Sequence, residues 1–131
     1  MAEFAYPDVN VGDYSLIMPV PLHSKRLRER GFNQSVILAR EISKRLHISL
    51  DFMTLRRHVY TEPQISLGKK EREANVHGAF SVTDPAKVKG QRIILVDDVY
   101  TSGSTVKECA QVLTKNKADK VAVLTLARAV Y

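Results

Sequence analysis

Only one cysteine, Cys109, occurs in the 131 residues, so no disulfide can close within the chain. Its spacing from Val106 and Leu113 sets it on the apolar stripe of a helix, where it reads as a small buried hydrophobe rather than a reactive thiol. His47, His58 and His77 are scattered without a cysteine or carboxylate at ligand spacing, which argues against a zinc ion held by these side chains. No apolar run approaches the length of a membrane span. The first residues, Met1 to Pro7, have neither the basic flank nor the apolar block of a signal peptide, so a soluble cytoplasmic protein is the expectation. Aromatics are few, five Tyr and four Phe, and none form a cluster interleaved with basic residues. Such interleaving is what a stacking platform for nucleic acid requires. Repeats and low-complexity tracts are also missing, and the length suits one domain over 1–131 that buries roughly two-thirds of its unfolded surface.

What is present concentrates in ten residues, Val96-Asp97-Asp98-Val99-Tyr100-Thr101-Ser102-Gly103-Ser104-Thr105. An apolar run, Arg92 to Leu95, precedes them and reads as a buried strand; Val106 to Leu113 follows and reads as a helix. Two carboxylates therefore sit at the C-terminal end of a strand. Behind them lies a turn of small hydroxyl residues and one glycine, whose N–H groups converge at a helix N-terminus and favour an anion. Carboxylates beside a phosphate repel it unless they address another part of the ligand. Vicinal hydroxyls are the natural candidate, because an ionised Asp only accepts hydrogen bonds. A sugar phosphate with free hydroxyls satisfies both halves, with Asp97 and Asp98 on the sugar and Thr101, Ser102, Ser104 and Thr105 on the phosphate.

An apolar strand, Asp-Asp, two further residues and Thr-Ser-Gly-Ser-Thr resembles the phosphoribosyl-pyrophosphate (PRPP) motif of type I phosphoribosyltransferases. A second stretch, Pro19 to Gln34 (PVPLHSKRLRERGFNQ), resembles the competence protein ComF branch of that family. With Gln64, Leu67, Arg72, Asn75 and Gly78-Ala79-Phe80, the similarity runs from Ile17 to Leu126. The resemblance implies that Asp97 and Asp98 hold the ribose hydroxyls. It places the 5′-phosphate on the loop from Thr101 to Thr105, with Val99 and Tyr100 leading into it.

The residues of the second stretch support a site by themselves. Tyr14 to Val20 is a short apolar strand ended by Pro19 and Pro21, since proline lacks the ladder donor and restricts its predecessor. His23, Lys25, Arg26, Arg28 and Arg30 then lie within eight residues, opposed only by Glu29. If both strands are parallel, this basic loop and the Asp pair share one sheet edge, where ligands of open α/β sheets bind. The resemblance implies that pyrophosphate is held here, at Leu22, His23, Ser24, Lys25 and Arg26.

Beyond Gly31 a helix is expected, with Asn33 as N-cap, Leu38, Ala39, Ile42 and Leu46 on one stripe and Arg40, Lys44 and Arg45 opposite. Asp51 to Val59, with Phe52, Met53 and Leu55, reads as the next strand, interrupted by Arg56 and Arg57. Tyr60 to His77 is polar and lacks a sustained stripe; the resemblance implies a flexible lid there, with Gln64, Lys69, Arg72 and Asn75 as ligand contacts. Ala79 to Val82 returns as a strand, Asp84-Pro85 turns the chain, and Lys120 to Ala127 is the last apolar run. The pattern is α/β on a mainly parallel sheet. The resemblance adds a three-layer architecture with a lid loop and a reduced hood, because about a dozen residues precede the first strand. Many ComF-type proteins also carry an N-terminal zinc module of paired cysteines. The segment before Tyr14 holds none, so the chain reads as a short member or a trimmed one.

The implied activity is displacement of pyrophosphate from the ribose C1 by a nucleophile. Mg²⁺, a hard ion, would ride on the diphosphate and reach Asp97 or Asp98 directly or through water. The acceptor base or amine is not readable, and a homodimer is one candidate assembly. Two other readings stay open. In one, the fold senses PRPP or a nucleotide without transfer chemistry. In the other it is an accessory for single-stranded DNA or for competence proteins. Lys and Arg exceed Asp and Glu by 20 to 14, and the pI is 9.6, a moderate basic excess of which part belongs to the diphosphate loop.

Overall fold

Strands covered on both faces need apolar residues at every position, and two segments of this chain meet that demand: Leu16-Ile17-Met18 and Ile93-Ile94-Leu95-Val96. In the computed structural model, which describes residues 11–22, 28, 31, 33–58, 78–100 and 103–128 (backbone alone at 11, 98–100 and 126–128), both lie at the centre of one sheet. Its strands are β1 (Leu16–Pro19), β2 (Ser49–Leu50), β5 (Arg92–Tyr100) and β6 (Lys120–Arg128), in the order β2-β1-β5-β6, with every pairing parallel. A separate antiparallel pair is made by β3 (Leu55–Arg57) and β4 (Phe80–Val82).

Alternation along the strands divides the core. Leu16, Met18, Ile93 and Leu95 point to one face, where helix α2 (Ser104–Lys115) covers them with Val106, Cys109 and Leu113, and where Leu55, Phe80 and Val88 also pack. Ile17, Ile94, Val96 and Leu124 point to the other, under Leu38, Ala39 and Ile42 of helix α1 (Gln34–Leu46). The result is the three-layer α/β/α arrangement that a parallel sheet requires. Cys109 is fully buried, as its helical spacing implies. Burial pushes its thiol well above the ordinary value, the negative charge of Asp97 adds to this and Arg57 opposes it.

Both helices begin at the sheet edge where the strands end. Asn33 caps α1: its side-chain oxygen accepts from the Ser35 N–H at 2.9 Å, and its amide donates to the Val20 carbonyl at 3.3 Å. The short strand β1 ends on Pro19, still in register with Val96, and the Val20 N–H adds a last bond to the Val96 carbonyl at 2.8 Å. The Asp84-Pro85 turn also forms, as a 3₁₀ turn over Pro85–Lys87 capped by Asp84.

Residues 51–58 depart from the sequence expectation, whose last residue, Val59, lies outside the described residues. Instead of one strand, the chain gives two-residue β2, a turn, and three-residue β3 in the second sheet. The cause is Asp51. Its carboxylate accepts from the N–H groups of Met53 and Thr54 at 2.9 and 3.0 Å and from the Thr54 hydroxyl at 2.6 Å, so these donors are withdrawn from any strand ladder. Phe52 and Met53, expected in a strand, are left 45% and 55% exposed.

Candidate functional site

The crossover from β1 through α1 leads to β2 on one side; the crossover from β5 through α2 leads to β6 on the other. The chain therefore diverges between the C-terminal ends of β1 and β5. In open parallel sheets this divergence opens the crevice in which ligands bind. The segment after β1 carries the basic residues, and the segment after β5 carries the hydroxyl-rich turn. Register puts the bases of the two segments side by side, since Pro19 pairs with Val96, one residue before Asp97.

Asp97 does not end its strand. It lies inside β5, which continues to Tyr100 because β6 keeps pairing with it, through Asp97 with Thr125, Val99 with Ala127 and Tyr100 with Arg128. On the other side β1 has already stopped. The half-buried Asp97 carboxylate thus stands at the point where β5 loses one neighbour, and its Oδ1 accepts from the Ser35 hydroxyl at 3.3 Å. Ser35 is buried, in the first turn of α1. A carboxylate beside that turn also benefits from the positive end of the helix.

The turn before α2 is built differently. Gly103 is its N-cap residue at φ +82, a left-handed conformation that other residues adopt at a cost, and it offers no side chain to cap the helix. Ser104 is buried and Thr105 half-buried in the first turn. Among the residues assigned from the sequence, Leu22 is half-buried next to the end of β1, and Asp98, Val99 and Tyr100 continue the β5 backbone. His23, Ser24, Lys25, Arg26, Thr101 and Ser102 lie outside the described residues, as do Gln64, Lys69, Arg72 and Asn75 and the whole expected lid of 60–77.

Ser35 joins the site although the sequence reading did not select it, and two further residues, Glu108 and Arg57, make tertiary contacts around it that the sequence did not announce. Ser35 has the i, i+3, i+7 spacing with Leu38 and Ile42, and a hydroxyl on an otherwise apolar stripe was its signal. Glu108 accepts from the Gly78 N–H at 2.9 Å, tying α2 to the foot of the β3–β4 hairpin, where the His58 N–H meets the Ala79 carbonyl at 2.9 Å. Arg57, which had looked like an interruption of a strand, is half-buried with its guanidinium 5.3 Å from the centre of the Phe80 ring. Burial pulls its pKa down.

Comparison with known proteins agrees with this geometry. The model of the phosphoribosyl transferase domain matches residues 33–129. The chain is 41% identical over 112 residues to DNA utilization protein YhgH of Escherichia coli (strain K12), covering 86% of this chain and 48% of that protein. It is 37% identical over 114 residues to competence protein F of Haemophilus influenzae, covering 86% and 50%. The chain thus spans about half the length of these curated relatives. Its fold is similar to that of the allosteric regulatory enzyme of purine biosynthesis, with a TM-score of 0.59 at 21% identity over 86% of this chain and 22% of that one. The strand order, the family model over 33–129 and the relatives matched over most of the chain lead to one assignment: the chain belongs to the phosphoribosyl transferase family, in its competence-protein ComF-like branch.

Proposed function

We propose that this domain binds PRPP with Mg²⁺ and transfers its phosphoribosyl group to a nitrogen nucleophile, releasing pyrophosphate. The observation that carries the reading is the position of Asp97, held by Ser35 beside the crevice from which both anion-binding segments depart. In the proposed complex Asp97 and Asp98 accept hydrogen bonds from the two ribose hydroxyls. The turn from Thr101 to Thr105, opened by Gly103, holds the 5′-phosphate, and Ser24, Lys25 and Arg26 hold the diphosphate. The C1–O bond breaks with its electron pair leaving on pyrophosphate, the nucleophile bonds to C1, and its proton passes to a nearby carboxylate or to water. The cationic segment stabilises the charge that develops on the leaving group, which is the main catalytic task.

Consecutive aspartates on β5, with the Asp97 carboxylate beside the crevice, fit Mg²⁺, which is commonly bound by one or two carboxylates together with ligand phosphates. Asp97 and Asp98 would hold it, and when bound it supplies Lewis-acid neutralisation of the diphosphate. The relatives are named for DNA utilization and competence, and the same setting is proposed for this chain.

Calorimetric titration of PRPP with Mg²⁺ into wild type and into Asp97→Asn/Asp98→Asn tests the site. At least a tenfold loss of affinity is expected, and equal binding would remove the acids from it. Pyrophosphate release across a panel of bases and amines tests the transfer. Tight PRPP binding without release from any acceptor would turn the reading into that of a sensor.

A further inference from the structure

The opposite end of the sheet, where the strands begin, carries a different chemistry. An open cleft of about 510 Å³ lies there, with Ser49, Phe52, Met53, Lys87 and Gln91 in its walls. The Asp51 turn described above holds Phe52 and Met53 out at the surface, so two large apolar side chains flank the cleft together. Its polar lining is ready to donate. The Gln91 side-chain oxygen already accepts from the Ser15 hydroxyl at 2.7 Å, which leaves its amide N–H groups, with the Ser49 hydroxyl and the Lys87 ammonium, for an incoming acceptor. The Asp51 carboxylate is engaged within its own turn.

Strand β2 adds open backbone to the same place. It is the last strand of its sheet, and among the described residues nothing pairs with its outer side. The Asp51 N–H turns inward, donating to the Ile17 carbonyl at 2.9 Å, so strand alternation turns the Leu50 N–H and carbonyl outward. An open edge of this kind accepts a further extended segment of polypeptide. Around it the chain gathers cations. Lys87, Lys89, Arg92, Lys115, Lys117 and Lys120 are all exposed, and they are held along one edge by the bond from the Gly90 N–H to the Lys117 carbonyl at 2.9 Å and by the register of Arg92 with Lys120. Among the acids near this edge, Asp84 caps the 3₁₀ turn, Asp119 pairs with Arg92 at 2.9 Å, and Asp13 is exposed ahead of β1.

Each feature narrows the occupant. The cations call for several negative charges, the apolar pair calls for an apolar side chain among them, and the open edge calls for a backbone with its own N–H and C=O groups. An acidic polypeptide has all three, whereas a nucleic acid lacks the last. Met53 favours the same choice, since a flexible thioether adapts to aliphatic and aromatic side chains alike. We propose that the cleft docks an acidic peptide segment of another protein, with one apolar side chain on Phe52 and Met53, its backbone along β2, and its carboxylates on Lys87, Lys89 and Lys117. The surface lies at the other end of the strands from the PRPP crevice and does not depend on that reading.

The test is fluorescence anisotropy of the 131-residue chain with a short labelled peptide of alternating Asp and Glu around one central Leu-Phe pair. Wild type is expected to bind it, and Lys87→Glu/Lys89→Glu/Lys117→Glu to weaken binding more than about tenfold. Phe52→Ala/Met53→Ala in the protein, or Gly-Ser in place of Leu-Phe in the peptide, should each weaken it at least about fivefold. Saturating pyrophosphate should leave binding intact. Absence of binding by wild type, full affinity in the lysine triple, or displacement by pyrophosphate overturns the proposal. So does equal binding of the Gly-Ser peptide together with a silent Phe52→Ala/Met53→Ala, which would reduce the contact to charge attraction alone. Oligothymidylate that displaces the peptide at lower concentration than the unlabelled peptide does would assign the surface to nucleic acid. A dimer in sedimentation that Phe52→Ala/Met53→Ala dissociates would assign it to a second copy, and either result overturns the proposal. Circular dichroism melts of each variant separate loss of binding from loss of fold.

Discussion

The two crossover helices start at the same sheet edge but close their first turns in opposite ways. α1 is sealed by its own side chains: Asn33 caps the Ser35 N–H, and the Ser35 hydroxyl turns to Asp97. α2 begins at Gly103, whose position as N-cap supplies no side chain for a cap. The difference teaches that one helix end fixes a protein carboxylate, while the other, under the proposed function, leaves its backbone open to the ligand's phosphate. Capping residues stabilise a helix, and a glycine in their place accepts lower stability in exchange for access.

This contrast is open to direct attack. Because each helix is anchored by a fully buried aliphatic, Ile42→Ala in α1 and Leu113→Ala in α2 should each cost about 2–5 kcal/mol in urea unfolding. A cost below that range in one helix alone would mean that the two layers are not equally part of the core. Gly103→Ala imposes a left-handed conformation on a residue with a Cβ and should lose about 1–2 kcal/mol of stability, together with phosphate-dependent PRPP affinity. Asn33→Ala should cost about 1 kcal/mol by removing the cap of α1. Ser35→Ala is expected to cost about 0.5–1.5 kcal/mol and to weaken PRPP binding, with Ser35→Thr retaining it; if the Ala and Thr variants bind alike, the hydroxyl does not position Asp97.

The smallest expected effect is a pH dependence outside both helices. Burial works against the Asp51 charge, but the Thr54 hydroxyl and the N–H groups of Met53 and Thr54, with Lys87 nearby, outweigh it and hold the pKa below its ordinary 3.8. A depressed carboxyl contributes stability above its unfolded pKa and loses it as pH falls through the folded value. The stability gap between wild type and Asp51→Asn should therefore be constant from pH 7 to about pH 5 and shrink below about pH 4. A gap that widens on acidification would contradict the sign.

Much of the central sheet was legible because its signal is local. Ile93 to Val96 needs apolar contacts on both faces, and a run of four such residues says so without reference to the rest of the chain. The cap at Asn33 and the turn at Asp84-Pro85 are likewise short-range chemistry. Residues 51–59 misled because Phe52, Met53 and Leu55 look alike by hydropathy, whereas Asp51 decides through three hydrogen bonds which of them can enter a strand. Arg57 looked like a break in an apolar run, and its partner Phe80 lies 23 residues away.

The amino-acid order alone determined the apolar strands, the helix between them, the paired acids and the hydroxyl turn, since each depends on neighbours a few positions away. Only tertiary structure decided that β5 outlasts β1 by four residues and that Ser35 reaches Asp97 from another layer. These depend on register between strands and on long-range contacts, such as the one across the 62 positions between Ser35 and Asp97. Hydrophobic periodicity encodes which face a residue takes, and not which distant residue it will meet there.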